Sequence, residues 1–362
     1  MGDVTDFTWE QWFGVLLLAG VGVLILDLLR RLAVGDLGAS TLTTFLWRGL
    51  VDGLIVGLAA VGLSMTYSIL RFANFSHGDL VTTGAFSGWT AVWVIGGLGA
   101  ADLGSRLLLN ADRSTSARAL DVHVYAEPLA IVAGLVIAAL VTILVALAID
   151  RLVYRRMRDS GGIPLLIASV GVALVLRYLI VFLYGERTRG VVRSSPSIDH
   201  PLLFWTDGVV VHELIMVGSA VVLMVGLHVL LQYTKLGTAM RAMADNRDLA
   251  LITGIPTERV ILATWVIGAG LTGVAGYLIV LEQETLNFNT GWFLLLLIFA
   301  AVILGGIGSI YGAITGGLII GLADNVMLVW ISGDLTRVAA FMLMILILIF
   351  RPQGLFGGVE TA

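Results

Sequence analysis

The sequence predicts an all-α membrane protein, a polytopic bundle of about nine or ten transmembrane helices with one broken or re-entrant segment. Three observations carry this. Of 362 residues, 58% are hydrophobic and 13% are charged, where a soluble domain has about 25% charged. Mean hydropathy is +0.99. Uncharged runs long enough to cross a hydrocarbon core of about 30 Å recur along the chain, and with no water to satisfy backbone N–H and C=O groups such runs must be helices.

The runs follow in order. Gln11 to Leu26 lies between Glu10 and Asp27, and Gly53 to Leu70 between Asp52 and Arg71. Leu80 to Ala101 follows Asp79, and Pro128 to Ile149 lies between Glu127 and Asp150. Pro164 to Tyr184 is interrupted only by Arg177, and Leu214 to Tyr233 precedes Lys235. Val260 to Leu281 ends before Glu282. Thr285 to Ala323 is long enough for two passes, with a break near Gly305 to Gly312, and Leu335 to Phe350 is a short last pass. The acidic first residues, Asp3, Asp6 and Glu10, are the opposite of a signal peptide's basic start, so the first run reads as a retained helix.

Arginine placement orients the spans. Arg151, Arg155, Arg156 and Arg158 mark one cytoplasmic loop, Lys235, Arg241, Arg247 and Arg259 a second, and Arg351 a cytoplasmic C-terminus. The Gly185 to Val211 loop and the Glu282 to Thr290 turn then face outside. Upstream the count fails, because Arg30 and Arg31 fall outside. Either the first helix is an exception, or Gly49 to Leu98 contains a re-entrant segment; the second is the favoured expectation.

Several functions are excluded at once. A net charge of −4 argues against nucleic acid as a partner. With no cysteine there is no disulfide, thiolate metal site or cysteine nucleophile. No glycine precedes a lysine, so a phosphate-binding GK sequence is impossible and any ATP is bound by another polypeptide. No cofactor or metal is expected in this chain, and no catalytic residue. Gly306-Ile307-Gly308-Ser309 loosely resembles an intramembrane serine protease site, but Ser309 reads as part of a glycine-rich break rather than a helix start.

Three features remain as candidates. Asn74, Ser76, His77, Gly78 and Asp79 crowd polar groups between two apolar runs. They read either as a discontinuous helix facing a cargo or as an ordinary loop at the membrane face. The Thr234 to Arg259 loop reads as two short helices. Alanine and methionine alternate with charge at helical spacing, Asp245-Asn246 stops one helix and caps the next, and Gly254 with Pro256 ends the second. Such a pair is either a docking surface or a solvated interfacial loop. Gly308, Gly312 and Gly316 lie four apart, as do Gly317 and Gly321, which suits close helix packing. Asp324 and Arg177 stand inside apolar spans, either paired, or each lining a path, with snorkelling to an interface the alternative for Arg177; Asp52 reads as a helix end.

In this order, four stretches together resemble the permease subunits of ABC importers for branched-chain amino acids and related solutes. They are Gly53 to Gly57 leading into Asn74 to Asp79, the loop Gly237 to Ile255, Leu304 to Ser309 through Gly321, and the ending Phe350-Arg351-Pro352-Gln353-Gly354-Leu355-Phe356-Gly357. Members of that family commonly have Ala at the position of Ser76 and Glu at that of Asp79. The resemblance implies an inner-membrane permease that moves branched-chain or other small amino acids or amides inward. It works with a second permease subunit, identical or homologous, two cytoplasmic ATPase subunits and an extracytoplasmic solute-binding protein. It places Met240, Arg241, Ala242, Asp245, Asn246 and Gly254 at the ATPase contact, and on this reading the polar Asn74, Ser76, His77, Gly78 and Asp79 and the intramembrane Asp324 are the expected path residues. It also divides the chain into an extra helix and loop at 1–44, a permease domain at 45–358 with its coupling loop at 234–259, and a tail at 359–362. An ion-coupled carrier or channel for a small polar solute, with Asp324 as coupling group, is the rival expectation.

Overall fold

A computed structural model describes residues 9–96, 128–190, 197–198 and 209–357. The polar 99–127 loop and the 359–362 tail lie outside the described residues. Helix α1 is Trp9–Val34, α2 Ala39–Leu70 and α3 His77–Gly96. Helix α4, Pro128–Leu152, leads through a short 3-10 turn at Tyr154–Met157 to α5, Gly162–Tyr184. Strands β1 (Arg189–Gly190), β2 (Ser197–Ile198) and β3 (Val209–Val210) precede α6, Val211–Tyr233. Two short helices, α7 (Lys235–Asp245) and α8 (Arg247–Ile252), are followed by the long α9, Thr257–Gln283. After β4 (Thr285–Leu286) come α10 (Thr290–Gly305), α11 (Ile310–Val326) and α12 (Gly333–Phe350). The two-residue strands pair antiparallel, β1 with β4 and β2 with β3.

Six helices are long and apolar enough to cross a bilayer, and α10 and α12 are shorter apolar helices, all among the described residues. The protein is a multi-pass membrane protein. Helices α2 and α9 form its centre and are buried almost all round, as a helix hydrophobic on every side must be. Helices α4, α5 and α6 bury one face. On the other they expose Val132, Val136 and Leu140, then Ile167, Val175 and Phe182, then Val222, Val225 and Val229. These apolar stripes suit lipid.

Close approach of backbones sets the central packing. Helix α11 lies along α2, with Gly317 against Gly57 and Gly53, and Gly321 against Gly53 and Gly49. A Cβ added at Gly317 would fall 2.5 Å from the Gly57 nitrogen and 2.9 Å from the Gly53 oxygen, and one at Gly321 2.6 Å from the Gly49 oxygen. Gly312 and Gly316 face α10 instead, where Cβ atoms would come 2.7 Å from the carbonyl carbon of Gly305 and 2.9 Å from that of Ala301. Gly308 does not share this face. It stands in the turn before α11 with φ +90°, and the nearest atom to a Cβ there is 3.8 Å away. Its role is to turn the chain, because only glycine takes that backbone conformation without strain.

The bundle has a basic end and an acidic end. At the basic end, the Arg71 guanidinium donates to the Ala244 carbonyl of α7, and Leu355 and Phe356 donate backbone N–H groups to Leu304 and Gly305. The acidic end gathers Asp52, Glu282 and Asp324. Arg30 and Arg31 reach this same end, where Arg31 donates to the Val329 carbonyl just beyond α11. The re-entrant segment therefore does not resolve the arginine count, since it adds no pass. The first helix is the exception, and the physical reason is local. Both guanidinium groups share the Asp27 carboxylate, at 3.0 Å and 2.7 Å, and the Trp330 indole N–H donates to it at 2.9 Å. The expected domain boundary at 44/45 falls inside the continuous helix α2.

Candidate functional site

Helices α2, α9, α10, α11 and α12 and the 285–290 turn enclose a cavity of about 240 Å³ at the acidic end. Asp52, Glu282 and Asp324 bring three carboxylates to its wall, with Gln283, Asn287 and Arg337. Asp52 does not end a helix. It lies inside α2 and accepts a hydrogen bond from Asn325 Nδ2 at 2.8 Å. Asp324 Oδ1 is buried and has no hydrogen-bond partner among the described residues. Ionisable groups at such depth are costly unless they face one another or water, and here they line a shared opening.

The Arg71–Ser76 stretch descends from the basic end into the protein. Arg71 caps α2 with φ 57°. By His77 the chain has moved back along α2, for the imidazole Nε2 donates to the Ala59 carbonyl at 2.9 Å. Ala59 lies twelve residues before Arg71 on a helix rising about 1.5 Å per residue, so the His77 imidazole reaches a point ~18 Å below the end of α2. The polar side chains of the stretch bond to the protein, except that the Asn74 amide nitrogen is buried with no hydrogen-bond partner among the described residues. Asn74 Oδ1 accepts from the Ser76 N–H at 3.1 Å and the Ser76 hydroxyl at 2.7 Å, leaving the Tyr154 hydroxyl to donate to Ser76 Oγ at 2.9 Å. Tyr154 in turn stacks on Trp265 with ring centroids 5.6 Å apart. Gly78 sits against α10, where a Cβ would meet the Gly291 oxygen at 2.7 Å.

Asp79, fully buried, is held by two parallel bonds from Arg177, Nε to Oδ1 at 3.1 Å and Nη2 to Oδ2 at 3.0 Å. The guanidinium lies 4.5 Å above the Trp292 ring centroid. The pairing expected of Arg177 thus goes to Asp79 on α3, not to Asp324. Asp324 is apart from the Asn74–Asp79 group and opens on the acidic cavity instead.

At the basic end, α7 and α8 follow local rules. Thr234 caps α7 by accepting from the Gly237 N–H at 3.0 Å, and Asn246 both ends α7 and caps α8 by accepting from the Leu249 N–H at 2.9 Å. Gly254 has φ +84° and closes α8. Met240 and Met243 are buried and fasten α7 to the bundle, Arg241 and Ala242 are half-buried, and Asp245, Asn246 and Gly254 are exposed. Leu251 and Ile252 of α8 are 60% and 82% exposed, with Leu249 beside them. Sequence reasoning missed these three, since apolar residues on a short helix are read as its inward face. Ser309, contrary to the expectation, does stand at a helix start. Its hydroxyl caps α11 by accepting from the Gly312 N–H at 3.0 Å, an ordinary structural use.

A helical multi-pass bundle with a broken, inward-turned polar segment and a polar cavity open at one end is the build of a membrane permease. The chain belongs to the family described as branched-chain amino acid transport system / permease component, which matches residues 45–348. It is 29% identical to the high-affinity branched-chain amino acid transport system permease protein LivH of Escherichia coli (strain K12), over 87% of this chain and 96% of that one. It is equally 29% identical to the corresponding permease BraD of Pseudomonas aeruginosa, over 86% and 96%. A more distant likeness, 27% over 46% of each chain, is to the autoinducer 2 import system permease protein LsrC of Yersinia enterocolitica. No solved structure matches the chain.

Proposed function

We propose that this protein is the membrane-spanning permease subunit of an ATP-driven ABC importer that carries branched-chain or other small amino acids or amides across the cytoplasmic membrane. The basic end and the C-terminus face the cytoplasm, following the arginine bias. The observation that carries the reading is the pair α7–α8, one helix fastened to the bundle by Met240 and Met243, the other presenting Leu249, Leu251 and Ile252 outward. An apolar crest flanked by Asp245, Arg247 and Asp248 at that end suits a cytoplasmic ATPase subunit. Two such subunits, a second permease and an extracytoplasmic binding protein complete the proposed assembly. Neither catalysis nor ATP binding belongs to this chain in the proposal.

The experiment is a pull-down of the tagged chain from its native membrane in mild detergent. Co-purification of an ATPase and a second permease is expected, and Ile252→Asp is expected to lower ATPase recovery at least ~10-fold, as removal of a central apolar anchor does. A chain that purifies alone in every mild detergent returns the ion-coupled carrier or channel, with Asp324 as its coupling group.

For the solute's route, we infer an entry through the acidic cavity, past Asp324, with the Asn74–Asp79 segment bordering the path further in. In the arrangement described, Asn74, Ser76, His77 and Asp79 are bonded to the protein, so a path beside them requires α3 to shift. Asn74→Ala and His77→Ala proteins of normal abundance are expected to import solute at least ~10-fold more slowly, a rise of about 1.4 kcal/mol in the transport barrier. Wild-type uptake by both would remove the segment from the route.

A further inference from the structure

A file of hydrogen bonds joins three helices at the basic end. The Arg241 guanidinium of α7 donates to Gln232 Oε1 at 3.0 Å. Gln232, near the end of α6, donates its amide N–H to the Tyr311 hydroxyl oxygen at 3.1 Å. Tyr311 stands 2.7 Å from His228 Nδ1. The phenol oxygen accepts from Gln232, and the imidazole tautomer sets which of Tyr311 and His228 donates in the second bond. The bonds run from α7 through α6 to α11 and return to α6 at His228. Helix α6 packs mainly on α2, α7 and α9, and the Tyr311 hydroxyl gives it a polar tie to α11.

The position of Tyr311 gives this tie leverage. It is the second residue of α11, whose backbone rests directly on α2 at Gly317 and Gly321. Thirteen residues further along the same rod, about 20 Å away at helical rise, stands Asp324 in the acidic cavity. A helix in backbone contact along its length moves as a unit, so a displacement at its foot reappears at its head.

We propose that Tyr311 is a positioning residue that passes movement of α7 to α11 and so to the acidic cavity at the other end of the bundle. This rests on the importer reading, in which α7 is the helix an ATPase would move. In that setting Arg241 acts inward on Gln232, and the outward contact falls to α8.

The test is the assembled transporter, with its ATPase and binding-protein partners, in proteoliposomes, read as solute imported per ATP hydrolysed. Tyr311→Phe keeps the ring and removes the hydroxyl. It is expected to lower that ratio about 5-fold, as loss of a single neutral hydrogen bond would, while the hydrolysis rate stays within ~2-fold. Gln232→Met, which breaks the same file from its other side, is expected to lower the ratio alike. A ratio unchanged in both variants, or import and hydrolysis falling together in proportion to the folded protein recovered, overturns the relay. Failure of any ATPase to assemble with the wild-type chain overturns instead the importer reading, and the relay with it.

Discussion

Arg177→Met is expected to be among the most damaging single substitutions in this protein. It leaves the Asp79 carboxylate fully buried with its two partners gone. Removing one member of a buried pair costs about 3–5 kcal/mol, most of it the uncompensated charge rather than the lost attraction. Replacing both members with apolar residues, Asp79→Leu with Arg177→Met, removes the charge altogether and is expected to recover most of that loss. Thermal unfolding in detergent of the two single variants and the double gives the coupling directly. An Arg177→Met protein as stable as the parent would show that the pair is not formed.

Gly317→Val is the second. Its first added carbon would fall 2.5 Å from the Gly57 nitrogen and 2.9 Å from the Gly53 oxygen, both backbone atoms of α2 that no rotamer change can move. Helices α2 and α11 must separate along their shared length. Overpacking a well-filled core costs about 1–3 kcal/mol, and displacement of backbone by backbone belongs at or above the top of that range. The internal control is Gly226→Ala on α6, where nothing lies within 4 Å of the added carbon. There the change is expected to be neutral or slightly stabilising, since alanine loses less chain entropy than glycine. Equal melting temperatures for the two variants would contradict the α2–α11 contact.

The spans were legible because charges bracket them. Leu214 to Tyr233 is nearly α6 as observed, and Pro164 to Tyr184 is nearly α5. The same rule failed where a charge lies inside a helix. Asp52 looks like a helix end in the sequence, yet α2 begins thirteen residues earlier at Ala39, because Asp52 faces a cavity and bonds Asn325 from α11. The cap at Asn246 was legible because its chemistry is local, a side-chain oxygen and an N–H three residues on. The partner of Arg177 was not, because the choice between Asp79 and Asp324 depends on which helices become neighbours, and an arginine in an apolar run carries no record of that. Likewise, equal spacing put Gly308 in series with Gly312 and Gly316, although the helix starts only at Ile310.

The pair between α3 and α5 also bears on how the chain is made. Asp79 leaves the ribosome 98 residues ahead of Arg177, and Trp292, which covers the guanidinium, follows later still. When α5 enters the bilayer, its arginine opposes insertion by about 2.5–3.5 kcal/mol if it sits at the helix centre, against a segment of high mean hydropathy, 2.5. A carboxylate already in place on α3 gives that arginine somewhere to go other than lipid. The acid precedes the base and the aromatic cover comes last, so synthesis makes the receptor on α3 available before the arginine of α5, and the cover on α10 after both.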